Sequence, residues 1–416
     1  MKRFTFIILL IFGASYNLYA QISWTAIGPP QGNYYTHLYL DRSQNILFAG
    51  TEEGFWYKEL NNTNATWISR IEQGSVGRAV KALTTHPGLN GTVITGRVNG
   101  FFKGYIQISN DWGQTNQTVY ESNAGSIKSI QHSDSQPDIM YACTWSDTSG
   151  SPGELLKSTN GGQSWNTLTG IFHQNMTQIC VNPTSSDTLF VSGDALITRS
   201  TNGGNTWTLA TNGLPAQMGV YCIKMNPFNR QNLLCSNDNG VYKTMDAGDN
   251  WYQSFNEDCV NFAFNPVYPG VVAAIGFNPD NIYISYDAGE NWEDITGTYP
   301  GENLKDIVFS NDGLKLYIAS NSEIYRKDIT INVINTTAAQ TTIYCYPNPA
   351  DKRLYFDKTA TINKLIIYDI NGQMIFSQDS VTNNSLDVSL IPQGVYMLKI
   401  YTPEGEILHK IFIKHH

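Results

Sequence analysis

The sequence predicts an all-β chain in which a repeated four-strand unit is followed by a smaller β module. Three observations lead to this fold class. An octapeptide, Ser200-Thr-Asn-Gly-Gly-Asn-Thr-Trp207, recurs with first residues at positions 158, 200, 244 and 285. Between the copies, short apolar runs alternate with turn residues, which is typical of strands. The repeats stop near residue 330 and a different pattern begins. Spacings of 41 to 44 residues indicate a repeat architecture.

Each octapeptide predicts a tight turn between two antiparallel strands. Its Gly tolerates a positive φ, and its Asp or Asn side chain can accept hydrogen bonds from nearby main-chain N–H groups. Its Trp offers a large ring for packing between neighbouring sheets. We therefore assign structural roles to Asn160, Gly162, Trp165, Asn202, Gly204, Trp207, Asp246, Gly248, Trp251, Asp287, Gly289 and Trp292.

The pattern S-x-[DN]-x-G-x-x-W resembles the Asp-box, or BNR repeat, of β-propellers such as sialidases, xyloglucanases and sortilin. Counting outward from the four good copies gives seven units, with weaker copies ending at Trp67 and near Asn116. The last unit has sequence for three strands, and the segment around Trp24 is expected to supply its fourth. The resemblance thus implies a seven-bladed β-propeller over residues 21–330, closed by its N-terminal strand.

The N-terminal sequence and the composition limit the cellular location and the classes of partner that the chain can have. Residues 1–20 have a basic start, an apolar run and Leu18-Tyr-Ala20 at their end, which predicts a secretory signal peptide. The net charge of −9 argues against nucleic acid as a partner, and no later segment is apolar enough to span a membrane. No Cys or His spacing predicts a metal or other cofactor. Cys222 and Cys235 fit either a disulfide or two buried thiols.

Residues 331–342 read as a linker, and residues 343–416 form a separate module. Its marks are Tyr346-Pro-Asn-Pro-Ala350, an Asn371-Gly372 hairpin and Gly394-Val-Tyr-Met-Leu-Lys399. Together they resemble the type A sorting domain of the type IX secretion system of Bacteroidetes, which implies a small immunoglobulin-like β-sandwich. The motif residues are Pro347, Asn348, Pro349, Gly394 and Tyr396. The resemblance implies passage by Sec, the type IX secretion machinery as a partner, and a secreted or cell-surface protein.

The candidate ligand site lies on the propeller face opposite the box turns, where the second-to-third strand connectors meet and where the fourth-to-first connections, which include His173, also lie. Six of the seven connectors carry an acid, and Arg97 stands in the connector that lacks one. Acids and aromatic rings suit sugar hydroxyls and ring faces, although tight turns alone also favour Asp and Asn. The ligand-binding candidates are Glu52, Arg97, Trp145, Asp147, His173, Asp194, Asp238 and Asp280.

The expected function is a secreted or cell-surface protein that binds a glycan or another macromolecule on that face. A glycoside hydrolase or polysaccharide lyase is the alternative, and for a hydrolase two carboxylates should converge at a glycosidase separation. A protein-binding assembly or adhesion scaffold is the second alternative, and it requires a broad apolar or charged patch. Sialidases need an arginine triad that these repeats do not supply, and xyloglucanase-type enzymes use two propellers. No catalytic residue is assigned.

Overall fold

The computed structural model describes residues 23–29, 34–71, 79–99, 103–122, 124–146, 152–171, 175–194, 196–216, 219–277, 280–299, 301–330, 345–346, 350, 352–356, 362–369, 373–381, 385–401 and 407–414. The regular structure in these ranges is entirely β, which confirms the all-β expectation. No helix in the described ranges is both long and apolar enough to cross a bilayer. The predicted signal peptide and linker lie outside the described residues.

The described residues between Thr25 and Asp328 form seven four-stranded antiparallel sheets, numbered here in chain order. Strand β1 (Thr25–Ala26) belongs to sheet 7. Sheet 1 contains β2 (Tyr35–Asp41), β3 (Ile46–Thr51), β4 (Gly54–Glu59) and β5 (Ile68–Ile71). Sheet 2 contains β6 (Ala79–Thr85), β7 (Val93–Val98), β8 (Gly104–Ser109) and β9 (Gln117–Ser122). Sheet 3 contains β10 (Ser126–Ser133), β11 (Gln136–Trp145), β12 (Leu155–Ser158) and β13 (Asn166–Leu168).

The remaining sheets of the ring repeat the same order. Sheet 4 contains β14 (Met176–Asn182), β15 (Ser185–Gly193), β16 (Leu196–Ser200) and β17 (Thr208–Leu209). Sheet 5 contains β18 (Cys222–Met225), β19 (Leu233–Asn237), β20 (Gly240–Thr244) and β21 (Tyr252–Phe255). Sheet 6 contains β22 (Cys259–Phe264), β23 (Val272–Gly276), β24 (Ile282–Ser285) and β25 (Glu293–Asp294). Sheet 7 contains β26 (Asp306–Phe309), β27 (Lys315–Ala319), β28 (Ile324–Asp328) and β1.

The first strand that the chain contributes to each sheet is its inner strand, which is β26 in sheet 7. Each inner strand contacts the inner strand of the next sheet, and β26 contacts β2. The sheets therefore form a closed ring around a central channel, which is the architecture of a β-propeller.

The N-terminal strand completes the last sheet, as the sequence predicts. Thr25 pairs with Arg326 and Ala26 pairs with Tyr325 in antiparallel register. Trp24 packs into the core between sheets 6 and 7, and its indole N–H donates to the carbonyl of Thr296 at 3.0 Å. This pairing covers the edge of sheet 7 that would otherwise be open.

The octapeptide turns share one hydrogen-bond pattern. In the copy that begins at Ser200, the hydroxyl accepts the N–H of Gly204 at 2.9 Å, and the Asn202 side chain accepts the N–H of Thr206 at 2.9 Å. The segment from Ser109 has the same turn, because Gly113 N–H donates to the Ser109 hydroxyl at 2.7 Å. Its displaced Trp112 still packs on the preceding sheet, with its ring 6.3 Å from that of Phe48.

The C-terminal module is a β-sandwich of two sheets. One sheet has the order β29 (Cys345–Tyr346), β30 (Arg353–Phe356), β33 (Ser385–Asp387), and the other has the order β32 (Met374–Val381), β31 (Ile362–Tyr368), β34 (Gly394–Tyr401), β35 (Ile407–Lys414). Apolar side chains from both sheets form its core, including Leu354, Leu365 and Phe412. The Tyr396 ring stacks on Phe412, and its hydroxyl donates to the carbonyl of Pro392 at 2.8 Å.

The fold decides between the two states that the sequence allowed for Cys222 and Cys235. Cys222 and Cys235 are buried free thiols. Cys222 pairs with Ser236 while Ile223 pairs with Cys235, so the two thiols point to opposite faces of sheet 5 and cannot form a disulfide. Residues Pro347, Asn348 and Pro349 of the C-terminal motif lie outside the described residues.

Candidate functional site

A polar cavity of about 150 Å³ lies in the central channel. It is lined mainly by residues from the N-terminal parts of the inner strands and by residues just before those strands. Because strands run antiparallel within each sheet, these residues lie at the end of the channel away from the box turns; we call this end the channel mouth. The lining residues are Thr36, His37, Ala82, Lys128, Ser129, Ile130, Gln131, Thr177, Gln178, Tyr221, Cys222, Lys224, Val260, Asn261, Lys305 and Asp306.

Side chains at the channel mouth join neighbouring sheets. The Thr177 hydroxyl donates to the carbonyl of Val220 at 2.6 Å, and the Gln178 amide oxygen accepts the N–H of Ile223 at 2.9 Å. The Thr36 hydroxyl likewise donates to the carbonyl of Val80. Each bond connects one inner strand to the next. The mouth is therefore a hydrogen-bonded rim whose geometry is set before any ligand arrives.

Asp306 is the one carboxylate among the residues that line the cavity. Its Oδ2 lies 2.6 Å from the Nδ1 of His37, and its Oδ1 accepts the side-chain amide of Asn261 at 2.7 Å. Burial raises the pKa of this carboxyl, but His37, Lys224 and its hydrogen bonds together hold that pKa below its ordinary value. The carboxylate is therefore ionised at neutral pH and occupied by protein partners.

The four described acids among the predicted site residues also have protein partners. Glu52 lies 2.8 Å from the ammonium of Lys81, and Asp238 accepts the hydroxyl of Tyr221. Asp194 accepts the N–H of Asn175 at 2.5 Å. Asp280 accepts two N–H groups, from Asn303 at 2.7 Å and from Leu304 at 3.2 Å. These bonds hold the connectors of the box-free face in place.

Arg97 does not lie in a connector, contrary to our expectation. It belongs to β7, where it pairs with Tyr105 of β8, and its side chain is 0% exposed. Its Nε donates to the Thr95 hydroxyl at 3.0 Å. The sequence Gly96-Arg-Val98 reads as a turn, but cross-strand pairing continues through it to Val98 and Gly104. A buried guanidinium of this kind has no surface to offer a ligand.

Aromatic side chains surround the channel mouth on the same face. Trp145 ends β11, and the ammonium of Lys128 lies 5.7 Å from the centre of its ring. Tyr34 immediately precedes β2 and is 70% exposed, and Phe277 follows β23 and is 60% exposed. Tyr221 precedes β18 and is 39% exposed. Asp147 and His173, the other predicted site residues, lie outside the described residues.

Sequence reasoning missed the channel-lining lysines Lys128, Lys224 and Lys305. The signal that could have found two of them is their place in the repeat. In every sheet, one residue lies five positions before the residue that begins the turn between the first and second strands. These seven equivalent residues are Thr36, Lys81, Lys128, Thr177, Tyr221, Val260 and Lys305. Elsewhere, no group of three or more His, Cys, Asp or Glu side chains in the described ranges is placed to hold a metal ion.

Residues 344–414 match a family model described as a secretion system C-terminal sorting domain. This match covers the C-terminal β-sandwich and indicates export by the type IX system to the cell surface or the medium. No match is found among curated protein sequences.

Most of the chain is similar in fold to solved β-propellers. A structure of YCF48 bound to a D1 peptide shares 14% identity at a TM-score of 0.56, over 74% of this chain and 97% of that one. A GH74 enzyme from Niastella koreensis shares 15% identity at a TM-score of 0.59, over 93% of this chain and 73% of that one. YCF48 from Cyanidioschyzon merolae shares 12% identity at a TM-score of 0.54, over 74% and 99%. Identities this low establish the fold alone. The chain is thus a β-propeller protein that ends in a sorting domain for secretion.

Proposed function

We propose that this exported propeller binds a glycan on its box-free face, at the channel mouth. The observation that carries the proposal is the set of exposed aromatic rings beside a polar cavity. Tyr34 and Tyr221 immediately precede inner strands, Phe277 follows the second strand β23 on the same face, and all three are substantially exposed. Aromatic faces pack against sugar rings, and preset polar groups at a rim bind sugar hydroxyls.

Export of this protein supports a ligand that is found outside the cell. The sorting domain at residues 344–414 and the predicted signal peptide at residues 1–20 are consistent with passage by Sec and then by the type IX machinery. A secreted or surface-attached propeller meets polysaccharides there.

Binding is preferred to hydrolysis because the four described acids among the predicted site residues are held by protein groups. Glu52, Asp194, Asp238 and Asp280 each accept a hydrogen bond or form an ion pair within the chain. A glycosidase needs two carboxyl groups that are available to the scissile bond and to water. A peptide ligand is the competing protein-scaffold alternative.

The test is a polysaccharide array probed with the purified full chain, with reducing ends assayed in parallel. Two exposed phenylalanines on opposite faces provide a matched pair: Phe277 follows β23 on the box-free face, and Phe228 lies in the turn between β18 and β19 on the box face. We expect Phe277→Ala to weaken binding about tenfold and Phe228→Ala to leave it unchanged.

Four results would count against the proposal. Equal loss in the two variants would place the ligand elsewhere. Binding to no polysaccharide would remove the glycan function, and binding to peptides alone would replace it with the scaffold function. Release of reducing ends would assign the hydrolase activity instead.

A further inference from the structure

In each sheet, one equivalent residue near the start of the inner strand lies at the channel mouth. In sheets 1, 2, 3, 4 and 6 this residue is a β-bulge, where the strand register skips one residue between two neighbours that pair across the sheet. In sheets 5 and 7 the equivalent residue immediately precedes the strand. The seven residues are Thr36, Lys81, Lys128, Thr177, Tyr221, Val260 and Lys305, and all but Lys81 line the cavity. A bulge re-aims its side chain, so the repeat itself places these groups at the mouth.

Threonine and lysine side chains at these equivalent positions differ in what they can contact. Thr36 and Thr177 donate to the carbonyls of the next inner strand, so their hydroxyls hold the ring together. Lys128 and Lys305 stand where those threonines stand in other sheets, but an ammonium on a four-carbon stem reaches beyond the main chain. Lys224 adds a third ammonium three residues further along its repeat and also lines the cavity.

The charge of the cavity is opposite to that of the chain. Three lysines line it against one carboxylate, Asp306, which His37 and Asn261 already engage. The chain as a whole has a net charge of −9. Positive charge gathered in a concave site within an acidic protein attracts anions selectively, because the walls focus the local field.

We propose that the lysine cluster of the channel mouth, defined as Lys128, Lys224 and Lys305, binds a carboxylate or sulfate group, so that the glycan ligand is an acidic polysaccharide. This inference rests on the proposed glycan function and specifies its ligand class. The cavity of about 150 Å³ has room for a charged substituent of a sugar. The exposed rings of Tyr34 and Phe277 are left for the neighbouring sugar faces.

Dextran, carboxymethyl-dextran and dextran sulfate share one backbone and differ in charge, so they are the probes. Binding to the full chain is measured by calorimetry in low salt and in about 0.2 M NaCl. We expect both charged polymers to bind at least about tenfold more tightly than dextran. The variant Lys128→Gln/Lys224→Gln/Lys305→Gln should lose that preference.

A matched variant, Lys58→Gln/Lys315→Gln/Lys352→Gln, changes the net charge equally at lysines that do not line the cavity. It should retain the preference, and equal loss in the two variants would overturn the inference. Equal affinity for dextran and its charged derivatives would also overturn it while leaving the glycan function intact. Polyglutamate is a further probe, an anionic polymer without sugar. If it alone binds, and binding depends on the lysine cluster, the glycan function fails and the anion site stands. Should the triple variant not fold, the exposed Lys305→Gln variant alone must weaken charged-polymer binding.

Discussion

The Nδ1 atom of His37 lies 2.6 Å from the Oδ2 atom of Asp306, across the boundary where sheets 1 and 7 meet. The same carboxylate accepts the N–H of Leu38 at 2.8 Å and the side-chain amide of Asn261 at 2.7 Å. One buried side chain therefore links sheets 6, 7 and 1 at the point where the ring closes. It joins the inner strands there, while Trp24 and β1 close the outer edge of sheet 7.

Removing this carboxylate should destabilise the closed ring. Asp306→Ala leaves the Leu38 N–H and the Asn261 amide without this acceptor and removes the carboxylate beside the His37 imidazole. We expect a loss of about 3 kcal/mol in the free energy of unfolding, measured in urea. The control is Asp328→Ala, because Asp328 is exposed and 3.6 Å from Arg326; it should cost less than about 1 kcal/mol. Similar losses in the two variants would show that Asp306 does not link the sheets.

The Asp306 carboxyl should also make stability depend on pH. Its folded pKa lies below the ordinary value, which is about 3.9 in the unfolded chain. Protonation therefore favours the unfolded state: the stabilising contribution is complete above the unfolded pKa and is lost as the pH falls through the folded pKa. Urea unfolding of the wild type and Asp306→Asn should show a stability gap that narrows as the pH falls below about pH 4. A gap that widens below about pH 4 would contradict the lowered pKa of Asp306.

The N-terminal strand should be required for stability. The Trp24 ring packs edge-on to Tyr299 with 6.4 Å between centroids, and its N–H is bonded to Thr296. We expect Trp24→Ala to lower the free energy of unfolding by about 3 to 5 kcal/mol, because it empties a core site and frees a sheet edge. Leu209→Ala is the control, since Leu209 is largely exposed. Unchanged stability in Trp24→Ala would mean that the ring holds without its first strand.

The box turns and the ring closure were predictable because their causes are local or countable. The same eight residues that define the motif make the bonds of the turn, such as Ser200 with Gly204. The closure of the ring was predicted because the last unit has sequence for three strands only, while the segment around Trp24 belongs to no complete unit. Neither required knowledge of how distant segments face one another.

The channel site was not predictable in the same way. The identity of its lining depends on bulges that shift the register of inner strands by one residue, as at Lys128. The sequence identified the acids of the connectors but not their partners, because those partners come from other segments of the chain. Glu52, for example, forms an ion pair with Lys81. Arg97 was misplaced because its flanking glycine suggested a turn where pairing continues.

The propeller cysteines should behave as inert thiols. Cys143, Cys180, Cys222, Cys235 and Cys259 are buried, and burial raises the pKa of Cys222 to about 11. With Cys345→Ser to remove the sixth thiol, we expect labelling by a disulfide reagent to be about 100-fold slower in the native state than in urea. Intact mass under non-reducing conditions is the control. A mass two hydrogens too low would reveal a disulfide and would contradict the assignment of these cysteines as free thiols.

Two adjacent glycines of one box turn should respond differently to the same methyl group. Gly203 has φ +69°, and its counterparts in later turns are Ala247 at φ +57° and Ala288 at φ +60°. Gly204 has φ +90°, and a Cβ there would lie 2.5 Å from the Leu168 side chain. We expect Gly203→Ala to cost about 1 kcal/mol and Gly204→Ala about 2 to 4 kcal/mol, by urea unfolding. Because alanine already occupies the first position in two turns, equal costs would mean that the contact with Leu168 does not constrain the turn. A larger loss of stability in Gly203→Ala than in Gly204→Ala would mean that the packing of sheets 3 and 4 requires glycine at position 203 and not at position 204.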